Sequence, residues 1–278
     1  MKFSDYDITP LLKEQLDVLG FKKPTDIQFK SIKHILEGED VMAVAQTGTG
    51  KTGAFAIPVI DTLERKKRKG YKGVRCLVMV PTRELAKQIS EVFNEIGKRT
   101  SVRAYGLFGG VEQEQQIRTL NNGVDVLVTT PGRMFDLIAQ GFIDVSKLDF
   151  LVLDEADRMF DLGFIKDIRY MFNRMPPATE RLSLLFSATL SYKVQELAFE
   201  QMNQPVHIHV APEQMTGSRI SEELFYPSDE HKMKLLLTLM EEEWPDKAIV
   251  FANTKHCCED IHAWLEADGH RVGLLTGD

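Results

Sequence analysis

Seven short apolar runs recur along the chain with polar or amphipathic stretches between them: Val41–Ala45, Cys76–Val80, Val102–Leu107, Val124–Val128, Phe150–Leu153, Leu182–Phe186 and Val206–Val210. Continuous apolar runs of this length predict strands buried on both faces, as in a parallel sheet. Between them, Glu84–Lys98, Pro131–Ala139, Ile165–Phe172 and Tyr192–Met202 space apolar residues at i, i+3 and i+4, which predicts helices. The alternation predicts the α/β class with a doubly wound parallel sheet. Periodicity lapses near Ala211–Ser218 into turn formers and polar residues, so a linker is expected at 211–220, after a first domain at 1–210. Beyond it the pattern predicts a strand at Glu223–Tyr226, a helix at Glu230–Glu243, a strand at Ala248–Phe251, a helix at Lys255–Ala267 and a strand at Val272–Leu275. Residues 221–278 thus read as the beginning of a second α/β domain, too small to bury a comfortable core of its own.

Composition narrows the class. At 278 residues, 43% hydrophobic and 27% charged, the chain has ordinary globular usage, and no apolar run nears the roughly 18 residues a membrane span needs. The first residues carry Asp5 and Asp7 where a secretory signal would be apolar, and three cysteines occur in all, which leads us to expect a reducing, cytoplasmic compartment. A net charge of −7 excludes a protein that coats nucleic acid by bulk attraction. Charge is uneven, however: the first hundred residues hold 18 Lys/Arg against 13 Asp/Glu, and residues 211–278 hold 6 against 14, so polyanion contact should favour the first part. The densest basic run, Arg65–Lys69, falls in an expected loop and reads as a solvated segment more readily than as a phosphate grip.

The strongest chemical signal is Ala45-Gln46-Thr47-Gly48-Thr49-Gly50-Lys51-Thr52, placed after a predicted strand and before a helix. Glycines let backbone N–H groups turn toward phosphates, the helix amino end adds its dipole, Lys51 neutralises charge and Thr52 can ligate Mg²⁺. The first position is alanine where the general pattern has glycine. A carboxylate element should hold the metal, and Asp154-Glu155-Ala156-Asp157 supplies it at the end of Phe150–Leu153. Asp154 can hold Mg²⁺ through water, and Glu155 can take a proton from a water attacking the terminal phosphorus. Taken alone, acids after a strand are usually helix-capping or solvated residues; pairing with the glycine loop reverses that in favour of chemistry.

These residues together resemble the DEAD-box family of ATP-dependent RNA helicases, whose name spells Asp154–Asp157. Gly20-Phe21-Lys22-Lys23-Pro24-Thr25-Asp26-Ile27-Gln28 is similar to the family's Q motif, which implies adenine recognition by Gln28 and Thr25 with stacking by Phe21, and Phe3 resembles its isolated upstream aromatic. Pro81-Thr82-Arg83-Glu84-Leu85, Gly109-Gly110 and Thr130-Pro131-Gly132-Arg133 match elements that hold the RNA backbone. Ser187-Ala188-Thr189 matches the element that couples hydrolysis to strand separation, paired with Asp157. Ile249–Thr254, with Asn253 and Thr254 as RNA contacts, resembles the first motif of the second RecA-like domain. The resemblance therefore implies a RecA-like P-loop domain followed by the start of a second one, with ATP and Mg²⁺ as cofactors. Arg158–Pro177, Leu190–Asn203 and Glu222–Pro227 are most similar to the RhlB-type bacterial helicases, which implies a role in RNA degradation and partnership with the endoribonuclease RNase E in the degradosome.

The RNA elements also have a physical reading. Arg83 and Arg133 offer guanidinium donors to phosphate, Thr82 and Thr130 offer hydroxyls, and the glycines permit close backbone approach. Alternatively, Thr82 with Glu84 simply opens a helix and Pro131 is merely a first helical residue. Contacts of this kind leave base identity unread, so RNA binding with little sequence preference and strong salt dependence is expected.

The family's Ala-Arg-Gly-x-Asp and His-Arg-x-Gly-Arg-x-x-Arg elements do not occur in this sequence. The second would supply an arginine to the transferring phosphoryl group, an effect of roughly 10³ to 10⁵ in rate in other nucleotidases. Hydrolysis by the chain alone is accordingly expected to be weak or absent, the RNase E inference weakens, and a non-catalytic ATP- and RNA-binding fragment is the rival reading. A P-loop kinase or GTPase is a third; the guanine reader Asn-Lys-x-Asp is missing. Cys257, Cys258, His256 and His262 share one predicted helix and lack the two separated pairs of a zinc site.

Overall fold

The computed structural model describes residues 2–210, 221, 223–243 and 245–276. The chain divides into two compact units, Met1–Glu213 and Gln214–Asp278. The linker expected at 211–220 lies outside the described residues.

In the first unit a single 3-10 turn, Phe3–Asp5, precedes α1 (Pro10–Val18), α2 (Asp26–Glu37), β1 (Val41–Val44), α3 (Lys51–Arg65), β2 (Cys76–Met79) and α4 (Arg83–Ile96). Then follow β3 (Ala104–Leu107), α5 (Gln113–Asn121), β4 (Val126–Thr129), α6 (Pro131–Ala139), β5 (Phe150–Leu153), α7 (Ala156–Asp161), α8 (Ile165–Phe172), β6 (Leu182–Ser187), α9 (Tyr192–Gln201) and β7 (Val206–His209). The strands form one sheet in the order β3-β4-β2-β5-β6-β1-β7, and every pairing is parallel.

Alternation along each strand divides the core in two. Ala43, Val78, Val128, Val152 and Phe186 point into one cluster with Leu12, Ile32, Phe55 and Phe93 of α1 to α4. Met42, Leu77, Leu127, Leu151 and Leu185 point into the other with Met134, Met159, Ile168 and Leu197 of α6 to α9. Both faces are covered, which is why the strands read as continuous apolar runs. Asp40, just before β1, ties the far side of the sheet together: its two oxygens accept the backbone N–H of Ser183 at 2.8 Å and of Asn203 at 2.7 Å. Burial raises its pKa despite both bonds and the nearby Arg181 charge. The basic run after α3 is largely neutralised, with Arg65 paired to Asp61 and Asp7, Lys67 to Glu64, and Arg68 to Asp149. That pairing favours a structural loop over a phosphate grip.

The second unit differs from expectation. It contains α10 (Asp229–Glu243) and α11 (Lys255–Ala267), but Glu223–Tyr226, Ala248–Phe251 and Val272–Leu275 are in no strand. Ile249, Phe251 and Leu275 are 81%, 90% and 94% exposed. Apolar composition alone does not make a strand; it needs paired neighbours and a covered face, and α10 buries no residue. Among the described residues no helix is long and apolar enough to cross a membrane.

Candidate functional site

In an open parallel sheet, loops leaving the carboxyl ends of the strands lie along one edge. Strand order sorts the candidate residues along that edge into two neighbouring groups. The loops after β5, β6 and β1, which are adjacent in the sheet, carry Asp154–Asp157, Ser187–Thr189 and Ala45–Thr52. The loops after β3, β4 and β2, also adjacent, carry Gly109-Gly110, Thr130–Arg133 and Pro81–Arg83. With strands about 4.8 Å apart, the β2 and β1 loops are separated by roughly 14 Å.

The first group surrounds a buried cation and carboxylate. Ala45 is fixed to the sheet by its N–H donating to the Ser187 carbonyl at 3.0 Å. The chain then turns through Gly48 (φ +83°) and Gly50 (φ +92°), conformations that favour glycine, and α3 starts at Lys51. Gln46 and Thr47 are exposed at the loop's crest, and the Thr49 hydroxyl braces it by donating to the Gln46 carbonyl at 2.7 Å. The Lys51 ammonium donates to the Ala45 carbonyl at 3.2 Å and lies 4.0 Å from Asp154 Oδ1. Lys51 and Asp154 are 6% and 3% exposed, and Thr52 beside them is half-buried. Burial pushes the Asp154 carboxyl up to about 6 in spite of Lys51, so one ammonium at that distance does not compensate the buried charge. A carboxylate short of positive charge beside a half-buried threonine hydroxyl fits a divalent cation with hard oxygen ligands.

Glu155 is held by its backbone. It adopts φ +53°, one of two non-glycine residues with positive φ among the described residues, while its N–H donates to Asp154 Oδ1 at 3.0 Å and Arg158 reaches its carboxylate at 3.4 Å. Strain of this kind persists where surroundings over-determine it, and it is common at functional sites. Asp157 joins two loops: Thr189 donates both its N–H and its hydroxyl to Asp157 Oδ2 at 2.9 Å, and Asp157 donates its own N–H to Ser187 Oγ at 3.3 Å. Burial opposes the Asp157 charge, but the bonds from Thr189 and Ser187 outweigh it and lower the pKa.

Gln28 links α2 to the glycine loop. Its Oε1 accepts the Thr25 N–H at 3.0 Å as a capping bond, and its Nε2 donates to the Gly50 carbonyl at 3.1 Å. A methyl at Gly50 or Gly53 would fall 2.8 or 2.7 Å from that nitrogen, so glycine at both positions lets α2 and α3 close on each other. Phe21 is half-buried, whereas Phe3 is 2% exposed and meets Phe21 edge-on at 5.5 Å. Phe3 thus backs the Phe21 ring and presents no open face itself.

In the second group Arg83 is exposed, and its guanidinium lies along Gly109 and Gly110; a methyl on Gly110, at φ +82°, would come within 2.5 Å of Arg83 Nη1. The Thr82 hydroxyl caps α4 by accepting the Leu85 N–H at 3.2 Å, Pro81 is buried, and Pro131 opens α6. The helix-opening readings of Thr82 and Pro131 therefore hold as local structure. Thr130 is half-buried, Gly132 is exposed, and Arg133 donates to Gln113 Oε1 at 3.1 Å and to the Val111 carbonyl at 3.4 Å. Asn253 and Thr254 belong to the other unit, where the Thr254 hydroxyl caps α11 by accepting the Cys257 N–H. Sequence reasoning missed Arg158, Gln113 and Asp40, none of which lies in a pattern with its own chemical signature.

Comparison with known proteins supplies the family. A model described as DEAD/DEAH box helicase matches residues 25–197. The chain is 55% identical to the ATP-dependent RNA helicase RhlB of Aeromonas hydrophila, covering 100% of this chain and 65% of that protein. It is 54% identical to RhlB of Klebsiella pneumoniae, covering 100% and 66%. It thus spans about 65% of the length of these relatives. Among solved structures it is similar to a DEAD box protein from Methanococcus jannaschii, with a TM-score of 0.71, 28% identity and coverage of 100% of this chain and 73% of that one.

Proposed function

The chain belongs to the DEAD/DEAH box helicase family, and we propose that it is the nucleotide-binding part of an ATP-dependent RNA helicase that works in the cytoplasm. One observation carries this reading: Lys51 and Asp154 lie buried and 4.0 Å apart where α3 leaves a loop that turns through Gly48 and Gly50 at positive φ.

In this proposal the Ala45–Thr52 loop binds the phosphates of ATP, Lys51 neutralises them, and Thr52 and Asp154 hold Mg²⁺. Bound Mg²⁺ would supply charge neutralisation at the phosphate oxygens. Glu155, with its carboxylate oriented by backbone and Arg158, accepts the proton of the attacking water. Phe21, backed by Phe3, stacks on adenine. Gln28 and Thr25 recognise its edge, and the Gln28 bond to Gly50 joins that recognition to the phosphate loop. Asp157, Ser187 and Thr189 couple the nucleotide to strand separation. RNA phosphates lie across Pro81, Thr82, Arg83, Gly109, Gly110 and Thr130–Arg133 of the first unit; Asn253 and Thr254 are proposed RNA contacts of residues 221–278, read as a partial second RecA-like domain.

The 278 residues carry no His-Arg-x-Gly-Arg-x-x-Arg element, so slow or absent turnover by this chain alone belongs to the same proposal. A role in RNA degradation with RNase E is proposed from the likeness to RhlB, and co-purification with RNase E would test it. ATP turnover with and without RNA is the direct experiment. We expect a low rate with little RNA stimulation, and marked stimulation would overturn the slow-turnover part. Equal affinity for ATP and GTP would overturn the assignment of Gln28.

A further inference from the structure

The RNA reading accounts for Arg83 and Arg133 but leaves unexplained what holds them. Seven arginines of the first unit (Arg65, Arg68, Arg75, Arg99, Arg118, Arg158 and Arg169) pair with carboxylates. Among the described residues Arg83 and Arg133, like Arg103, Arg174 and Arg181, have no carboxylate at ion-pair distance, and of these five only Arg83 and Arg133 belong to the RNA reading. Arg133 is instead held by a neutral amide. Gln113 Oε1 accepts from Arg133 Nη1 at 3.1 Å, and Gln113 Nε2 donates to Gln140 Oε1 at 2.8 Å, just past the end of α6. The second bond fixes which end of the amide faces the arginine. With the Val111 carbonyl at 3.4 Å on Nη2, two of five guanidinium donors are taken and the plane is set, yet the full positive charge remains. A glutamate in the same place would hold Arg133 more strongly and quench it.

One turn along α5, on the same face, Gln116 is 1% exposed and donates from Nε2 to the Phe108 carbonyl at 2.9 Å, immediately before Gly109. Its Oε1 is buried with no partner among the described residues. A residue needed only for packing would carry no such unpaired acceptor, since leucine fills similar volume; the amide is there for the bond to the loop on which Arg83 rests.

We propose that Gln113 and Gln116 are positioning residues for RNA binding: α5 orients Arg133 through one amide and the Gly109-Gly110 loop through the other, without neutralising either arginine. This rests on the RNA reading above, so its test separates the two. The 278-residue chain, with ATP and Mg²⁺, is titrated into a fluorescein-labelled single-stranded oligouridylate and followed by anisotropy, alongside melting temperature and ATP affinity. R133A should weaken binding at least tenfold, because it removes a charged donor to phosphate, and Q113A about fivefold, because it removes only what orients that donor, with the double variant no weaker than R133A. Q113E should weaken binding at least tenfold while leaving melting temperature and ATP affinity unchanged, a response that a merely structural glutamine would not give. Q116L should weaken binding about threefold in the parent and not at all in R83A. Wild-type affinity in Q113A and Q113E, or fully additive losses in both double variants, with R133A still impaired, would overturn the positioning role. Unimpaired binding by R133A and R83A, or no binding by the parent, would overturn the RNA reading itself, and this inference with it.

Discussion

Asp154 carries a carboxyl that burial pushes up to about 6, with Lys51 4.0 Å away and unable to reverse it. A raised carboxyl pKa favours the folded state below about pH 4, where the proton is held in both states, and that advantage is lost as pH rises through about 6. At neutral pH the buried charge is therefore a cost that cation binding should relieve. Affinity for ATP with Mg²⁺ should fall about tenfold per unit as pH drops below 6, and binding at pH 6 should release close to half a proton. Calorimetry in buffers of different ionisation enthalpy reads this directly; a flat profile from pH 5 to 7 contradicts it. Glu155 gives a second prediction at this scale. At φ +53° a glycine relieves roughly 1 kcal/mol of left-handed strain, partly offset by its unfolded-state entropy. E155G should unfold at equal or higher urea concentration than the parent. A clear loss of stability would show that the conformation is not strained. That Lys51 and Asp154 belong to one site was legible in the sequence because residue type and spacing suggest it, and the two lie 4.0 Å apart. The bend at Glu155 was not, since glutamate has no preference for that region.

At the scale of elements, the seven strands and four helices predicted in the first unit lie within two residues of the observed ones because both faces of the sheet are covered, and continuous apolar runs follow from that, whereas the three strands predicted beyond residue 221 are not formed. Within the first unit the largest differences are two residues, at Val102 and Val124 ahead of β3 and β4 and at Lys98 beyond the end of α4. The pairing of elements through polar groups was not legible. Asp40 is an acid among loop residues in the sequence, yet it satisfies two backbone N–H groups from segments 143 and 163 residues away. Replacing it with alanine leaves both unpaired, and D40A should destabilise the fold by about 2–4 kcal/mol, measured by urea denaturation. A change below 1 kcal/mol would mean that water replaces the carboxylate there. D40N keeps acceptor capacity on one oxygen and should cost less.

For the whole molecule, the strand order β3-β4-β2-β5-β6-β1-β7 turns six separated motifs into two adjacent groups on one sheet edge. No local spacing encodes that order, and the sequence reading reached only as far as a doubly wound parallel sheet. Residues 221–278 show the opposite failure, for three segments with strand composition remain unpaired and Phe251 is 90% exposed. Their amides should exchange with deuterium within seconds to minutes, against protected β1, β2 and β5. Slow exchange across Ala248–Phe251 would contradict this account of the second unit. The central claim is that adenine nucleotide binds where Lys51 and Asp154 meet. Titrating ATP with Mg²⁺ into the folded chain should give a saturable heat signal that K51A removes while the free variant keeps the parent's circular dichroism spectrum. Absence of heat from the parent, or an undiminished signal from K51A, would contradict it.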